Sequence, residues 1–330
     1  MFDIITIGSA TRDAFLKSEA FHVLQSTRSR TGKMLGVPLG SKLDLEQLEF
    51  SIGGGAVNTA VTFANQGLRV APVAVIGEDL EGEAVGKFLK EQGIATPFLF
   101  RDKEGRTSLS LILSVGEKDR TILSFEGVKW HFTKFPFPFK ELGKAKWLYV
   151  NHVGGRAAAL LPKALAFAEE RGVQVAWNPG RTQLNGGKRI RPLLKYADVF
   201  LVNQEEASEI TGVPYQRRNE IFAVLDKWVK GIVVMTRGAA GVEVSDGKTR
   251  WSSGVLPLGK VTDRTGAGDA FGSGFVSSLV LHPGDIETAL QTASANATGV
   301  LREWGTTKGL LEKGESPFRW GKLKVSLRKT

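Results

Sequence analysis

An α/β fold with a mainly parallel central sheet and a small β-sheet lid is what this sequence predicts, on three observations. Short β-branched and apolar segments alternate with amphipathic helical ones along most of the chain, the pattern of consecutive strand, helix, strand units. The strand segments are apolar throughout, as strands covered by helices on both faces must be. Two stretches, 14–50 and 98–130, break the rhythm, and the second contains TSLSLILSV and RTILSFEG, which alternate like antiparallel strands. These are expected to be lid segments inserted into a single domain spanning 1–330. A chain of 330 residues, 42% hydrophobic and 24% charged, can bury a sizeable core as one large unit.

The elements follow in order. FDIITIG reads as the first strand. After the first departure comes RVAPVAVIG, a second strand, and Pro97 then marks entry to the second departure. FTKFPFPFK, residues 132–140, is a proline-punctuated connection back to the core. KWLYVN, VQVAWN, DVFLVN and GIVVMT read as further strands, each stopping at Asn or Thr. Between them, AALLPKALAFAEERG and EEASEITG carry apolar residues at helical spacing and end on a stop glycine. VTDRTGAGDAFGSGFVSSLVL reads as an extended segment, a glycine turn and a helix rich in small residues. There is no internal repeat and no low-complexity segment.

Composition excludes several function classes. No cysteine occurs, so disulfides, thiolate metal sites and cysteine nucleophiles are ruled out. His22, His131, His152 and His282 lack metal-ligand spacing. The opening MFDIITIGSATRD has no basic n-region or cleavable apolar stretch, and no apolar run reaches the roughly 18 residues of a membrane span. Cytoplasmic placement without a membrane partner is therefore expected. The net charge of +10 concentrates in RTQLNGGKRIRPLLK and FRWGKLKVSLRKT. Without a helix-turn-helix or RNA-binding signature these read as solvated faces, so no nucleic acid is expected. The same charge would attract a phosphorylated small molecule.

Chemistry concentrates at the glycine turn. A turn feeding a helix presents unpaired N–H groups, here those of Gly266, Ala267 and Gly268, together with the positive end of the helix dipole. Asp269 stands beside that anion hole. Taken alone it fits two readings: a first-turn carboxylate, worth about 0.3–1 kcal/mol of dipole stabilisation, or a group acting next to bound phosphate. No GxxxxGK[ST] loop occurs anywhere, and GAGDAF lacks the third glycine of a dinucleotide fingerprint.

Several motifs, in order along nearly the whole chain, resemble the ribokinase-like (PfkB) family of carbohydrate and nucleoside kinases. IGSATRD resembles its first strand, ending in a substrate-binding aspartate at Asp13. IGGGAVNTAV resembles its first signature, with Gly54, Gly55 and Asn58 at positions that bind substrate hydroxyls. LVNQEEASEITG resembles its NxxE motif at Asn203 and Glu206. MTRGAAGV resembles the TxGxxG nucleotide loop at Thr236, Gly238 and Gly241. DRTGAGDAF resembles the second signature, and ASANATG the helix near adenine at Asn296.

The resemblance implies a ribokinase-like three-layer α/β/α fold and ATP-dependent phosphorylation of a sugar-type primary hydroxyl. Asp269 would be the general base and the 266–268 backbone the anion hole for the transferred phosphoryl group. Mg²⁺ would be held by Asn203 and Glu206 through water and ATP phosphate, with Asn203 also near the nucleotide. Asp263 and the carbonyl of Thr265 match a monovalent-cation site. The remaining ligands of that site find no match in LREWGTTKG, where Glu303 and Trp304 stand, and K⁺ stays open. In WNPGRTQL, Asn178 replaces a frequent acidic residue and Arg181 is placed near phosphate.

Ribose is the first acceptor expected, then an adenosine-type nucleoside, fructose or a keto-deoxy sugar acid. A homodimer through the lid is compatible with the resemblance. Each residue also has an ordinary reading: a strand-end Asp13, a turn-to-helix glycine cluster, a helix start at NQEE, a β-turn at TRGAAG and a polar helix residue at Asn296. The non-enzyme alternative is a sugar or nucleotide sensor without turnover, against which the intact Asp269 argues.

Overall fold

Apolar segments bounded by glycine and asparagine form strands, and the amphipathic segments between them form the helices that cover both sheet faces. The computed structural model describes residues 1–29, 32–115, 119–184 and 187–329. The first strands are β1 (Ile4–Ile7), β2 (Thr11–Lys17), β3 (His22–Gln25), β4 (Lys33–Gly36), β5 (Gln47–Gly53), β6 (Val70–Gly77), β7 (Leu99–Asp102), β8 (Ser108–Val115) and β9 (Asp119–Phe125). The second half contributes β10 (Trp147–Val150), β11 (Gln174–Trp177), β12 (Val199–Asn203), β13 (Ile232–Thr236), β14 (Val242–Ser245), β15 (Thr249–Ser253) and β16 (Val325–Lys329). The longer helices are α1 (Gly55–Asn65), α2 (Leu80–Glu91), α3 (Leu161–Glu170), α4 (Gln204–Thr211), α5 (Arg218–Trp228), α6 (Ala267–Leu281) and α7 (Ile286–Leu301).

The large sheet runs β16-β15-β14-β13-β12-β11-β10-β1-β6-β7. From β7 to β13 every pairing is parallel, and β14, β15 and β16 add antiparallel to that edge. Two cores flank it, because side chains alternate between faces along each strand. Val70, Ala74 and Ile76 of β6 join one core with Phe63 of α1 and Phe275 of α6. Ala71, Val73 and Val75 join the other with Leu165 of α3 and Phe222 of α5. The result is the three-layer α/β/α arrangement.

The second sheet, ordered β5-β2-β8-β9, is the lid. It pairs Asp13 with Ser51 on one side and Ser110 on the other. The two departures from the α/β rhythm supply most of it, with two differences. β7, inside the 98–130 stretch, pairs parallel with β6 in the large sheet, because it completes a strand-helix-strand crossover through α2. β3 and β4 form a separate hairpin. The basic tail is also more than a solvated run, since β16 pairs along the whole of β15.

Candidate active site

The parallel strands deliver loops to one edge, where open α/β sheets bind ligands. The glycine turn lies there. Gly266 caps α6 with φ of 78° and donates no side-chain cap, so the first N–H groups of the helix stay available for an anion. A Cβ on Gly266 would come within 2.8 Å of the Thr306 side chain, whereas a Cβ on Gly268 would enter open space. Glycine is thus required at Gly266 by conformation and packing, and Gly268 keeps the approach clear.

That space is part of a cavity of about 330 Å³ lined by Thr236, Gly238, Gly241, Ala267, Gly268 and Phe271, among others. Its far wall is apolar, with Val255, Leu256, Leu258 and Leu301. An apolar slot leading to helix N–H groups suits a flat heterocycle joined to phosphates. Gly241 has φ of 93° and faces the carbonyl of Ser253 so closely that no side chain would fit.

Asp269 is brought against Asn58 of α1, whose Nδ2 donates to its Oδ2 at 2.8 Å. Burial pushes the Asp269 carboxyl up to about 6; the Asn58 bond opposes the rise and the charge of Asp13 adds to it. Asp13 is 4% exposed and accepts from Thr11 Oγ1 at 3.2 Å. Burial raises its carboxyl too, against hydrogen bonds from Ser110 and Thr11. Gly53 lets this happen, since a Cβ there would collide with Asp13 Oδ2. Gly54 caps α1 with φ of 95° under the Ser9 carbonyl, and Gly55 packs on Asn151. The glycine cluster therefore holds α1 against the sheet as well as exposing backbone.

Three expected positions make structural contacts of their own. Asn296, 1% exposed, donates to the Ala270 carbonyl and Thr62 Oγ1 and accepts from the Leu311 N–H. Its amide is spent joining helices, which corrects the expectation that it reaches adenine; its neighbours Ser294, Ala297 and Thr298 line the cavity instead. Asn203 and Glu206 form a capping box, each accepting the other's backbone N–H at 2.9 Å. In this conformation they start α4, and any hold on Mg²⁺ would pass through water. Among the described residues no group of three or more His, Asp or Glu is placed to hold a metal. The side chain of Arg181 lies outside the described residues.

Asp263 is held by one oxygen only. Its Oδ1 accepts from Thr265 N–H and Oγ1, while its Oδ2 is buried with no hydrogen-bond partner. An orphaned carboxylate oxygen suits a cation. Two residues went unread in the sequence. Tyr149 of β10 sends its hydroxyl under α6 at Gly272, and burial with the nearby Asp269 charge raises its phenol. Thr306 contacts Asn58, Ile52 and Gly266. Neither had a local signal, because each meets its partners only across the fold.

The pfkB family carbohydrate kinase model matches residues 1–313. The chain belongs to the PfkB carbohydrate kinase family. Within it, a ribokinase of Haemophilus influenzae is 26% identical over 283 residues, covering 84% of this chain and 90% of that protein. A nucleoside kinase of Methanothermobacter thermautotrophicus is 22% identical over 278 residues, covering 82% and 85%. The ribokinase of Arabidopsis thaliana, solved with ribose and ATP, superposes with a TM-score of 0.75 at 19% identity, over 93% of this chain and 94% of that one. The fold is ribokinase-like, and the protein is a PfkB sugar or nucleoside kinase. No helix among the described residues is long and apolar enough to cross a membrane.

Proposed function

We propose that the protein transfers the γ-phosphoryl group of ATP to the primary hydroxyl of a small sugar, with ribose the first acceptor. The observation that carries this is Asp269, a buried carboxyl raised to about 6, at the start of the helix whose glycine turn opens on the cavity. It is ionised at neutral pH yet basic enough to take a hydroxyl proton.

Bound ATP with Mg²⁺ supplies an electrophilic phosphoryl group, and the chain's own residues position and neutralise around it. The N–H groups of 266–268 face the charge that develops on the transferred oxygens. Thr236, Gly238 and Gly241 line the nucleotide side. Asp13, Asn58 and the backbone of Gly54 and Gly55 orient the sugar hydroxyls, and Asp269 accepts the proton. Lid strands over Asp13 exclude water and limit ATP hydrolysis. A monovalent cation at Asp263 and the Thr265 carbonyl would steady the turn before α6.

The lid favours a small sugar over a nucleoside. On its inner face the rung beside Asp13 is polar, with Ser51 and Ser110. On the next rung Phe15, 2% exposed, pairs with Glu49 and Ile112 and meets the Trp304 ring edge-on at 5.9 Å. On this reading the Trp304 indole takes up room over Phe15 that a nucleobase would otherwise use.

The outer lid face exposes Leu48, Phe50, Leu123 and Phe125, and a second copy of the chain is the partner we assign to it. Sedimentation of Leu123→Asp tests this, a weight matching the wild type ruling it out. The reaction itself is tested by ATP consumption against ribose, other pentoses and hexoses, keto-deoxy sugar acids and nucleosides. Rapid turnover of ribose is the expected result. Turnover confined to nucleosides would replace the acceptor, and no turnover of any acceptor would favour a sensor.

A further inference from the structure

Thr306 makes more contacts than a loop residue needs. It follows Trp304 and Gly305 in the turn after α7 and is 2% exposed. Its Oγ1 lies 2.7 Å from Asn58 Oδ1 and 3.2 Å from the carbonyl of Ile52, the residue before the first glycine cluster. Its Cβ and Cα fill the space where a Gly266 side chain would project. One side chain thus joins the substrate-side signature, the glycine turn and the loop after α7.

We propose that Thr306 is a positioning residue for the base: its hydroxyl donates to Asn58 Oδ1 and thereby turns the Asn58 amide N–H toward Asp269. The inference rests on the reading of Asp269 as the base. The argument is one of proton counting. An ionised carboxylate only accepts, so Asn58 must present Nδ2 to it, as it does at 2.8 Å. Asn58 Oδ1 then faces Thr306 and needs a donor. The single hydroxyl proton of Thr306 can serve one of its two acceptors, and the shorter bond goes to Asn58.

Without the hydroxyl, Oδ1 is left buried and unpaired. The amide loses its reason to keep N–H toward the carboxylate and is free to turn its oxygen there, which favours the protonated acid. The other groups facing Asp269 cannot compensate. Asp13 of β2 raises its affinity for a proton, Asp263 faces Asp13 in turn, and Tyr149 of β10 is neutral. A hydrogen bond donated to the charged form lowers a carboxyl pKa, so its loss moves the base upward.

The test is the pH profile of kcat and kcat/KM for Thr306→Val and Thr306→Ser, with ATP and D-ribose or the acceptor that replaces it in the screen. Thr306→Val should move the acid limb up by about one pH unit, lowering kcat about twofold at pH 7 and about tenfold near pH 5, as expected for one donor lost from a carboxylate's support. KM for ATP should not change, and Thr306→Ser should keep the wild-type limb. A valine variant with wild-type kcat and limb overturns the proposal; so does an equal fall in the serine variant, which would mean that the methyl packing matters instead. If the valine variant does not fold, as melting would report, Thr306→Ala is read for the same shift. Asp269→Asn in the same assay separates the two readings: if it retains turnover, the base assignment fails, and if it is inactive while Thr306→Val is unchanged, the role of Thr306 fails alone.

Discussion

Replacing Asp269 by Asn removes the proton acceptor and keeps the shape. A positioned base contributes about 10²–10⁴-fold, so kcat should fall by that factor while ATP binding persists. The wild type carries its own signature. With the carboxyl raised to about 6 by burial, kcat/KM should be flat above pH 7 and fall about tenfold per unit below pH 6. Stability should move the other way. The native carboxyl holds its proton more tightly than the unfolded chain, so its favourable contribution is complete below about pH 4 and is lost as pH rises through about 6. Ionising it above pH 7 therefore costs about 3 kcal/mol, because the carboxyl is raised from 3.8 to about 6 and each tenfold change in proton affinity is worth about 1.36 kcal/mol. Asp269→Asn should raise Tm at pH 8, and the gain should vanish near pH 4. The assay is coupled ADP release between pH 5 and 9 beside melting at the same values. An acid limb near pH 4, or full turnover by Asp269→Asn, would refute the reasoning.

Other outcomes follow from packing. Gly266→Ala forces a side chain onto φ of 78° and into Thr306 at 2.8 Å; it should cost about 1–2 kcal/mol or more and abolish turnover, measured by melting and ADP release. Trp304→Ala opens the shelf over Phe15, so nucleoside turnover should rise relative to ribose, and an unchanged ratio counts against the small-sugar reading. Arg302 stacks on Trp320 at 3.9 Å and donates to the Pro257 carbonyl, bracing the loop that carries Leu256 and Leu258 to the cavity. Trp320→Ala should raise KM for ATP several-fold with little change in kcat, read from initial rates at varied ATP.

Much of the site was legible because its signals are local. DRTGAGDAF announces a turn and a helix start through glycine conformation and short-range dipoles, and the spacing of Asn203 and Glu206 equally announces a helix cap, the role that geometry gives them. β7 was misassigned to the lid because a short apolar run does not say which sheet it joins. The antiparallel edge of β14, β15 and β16 was missed for a similar reason: its pairing spans the distance from Thr249 to Lys329.

By itself, then, the sequence determined the alternation of strands and helices, the turn before α6 and the residue types available to move a proton. Those depend on neighbours a few positions apart. Only the tertiary structure decided that Asn296 binds helices together and that Trp304 packs edge-on against Phe15. It alone set Thr306 against Asn58, 248 positions away. A hydroxyl proton has one destination, and which acceptor it meets is settled by packing rather than by sequence spacing.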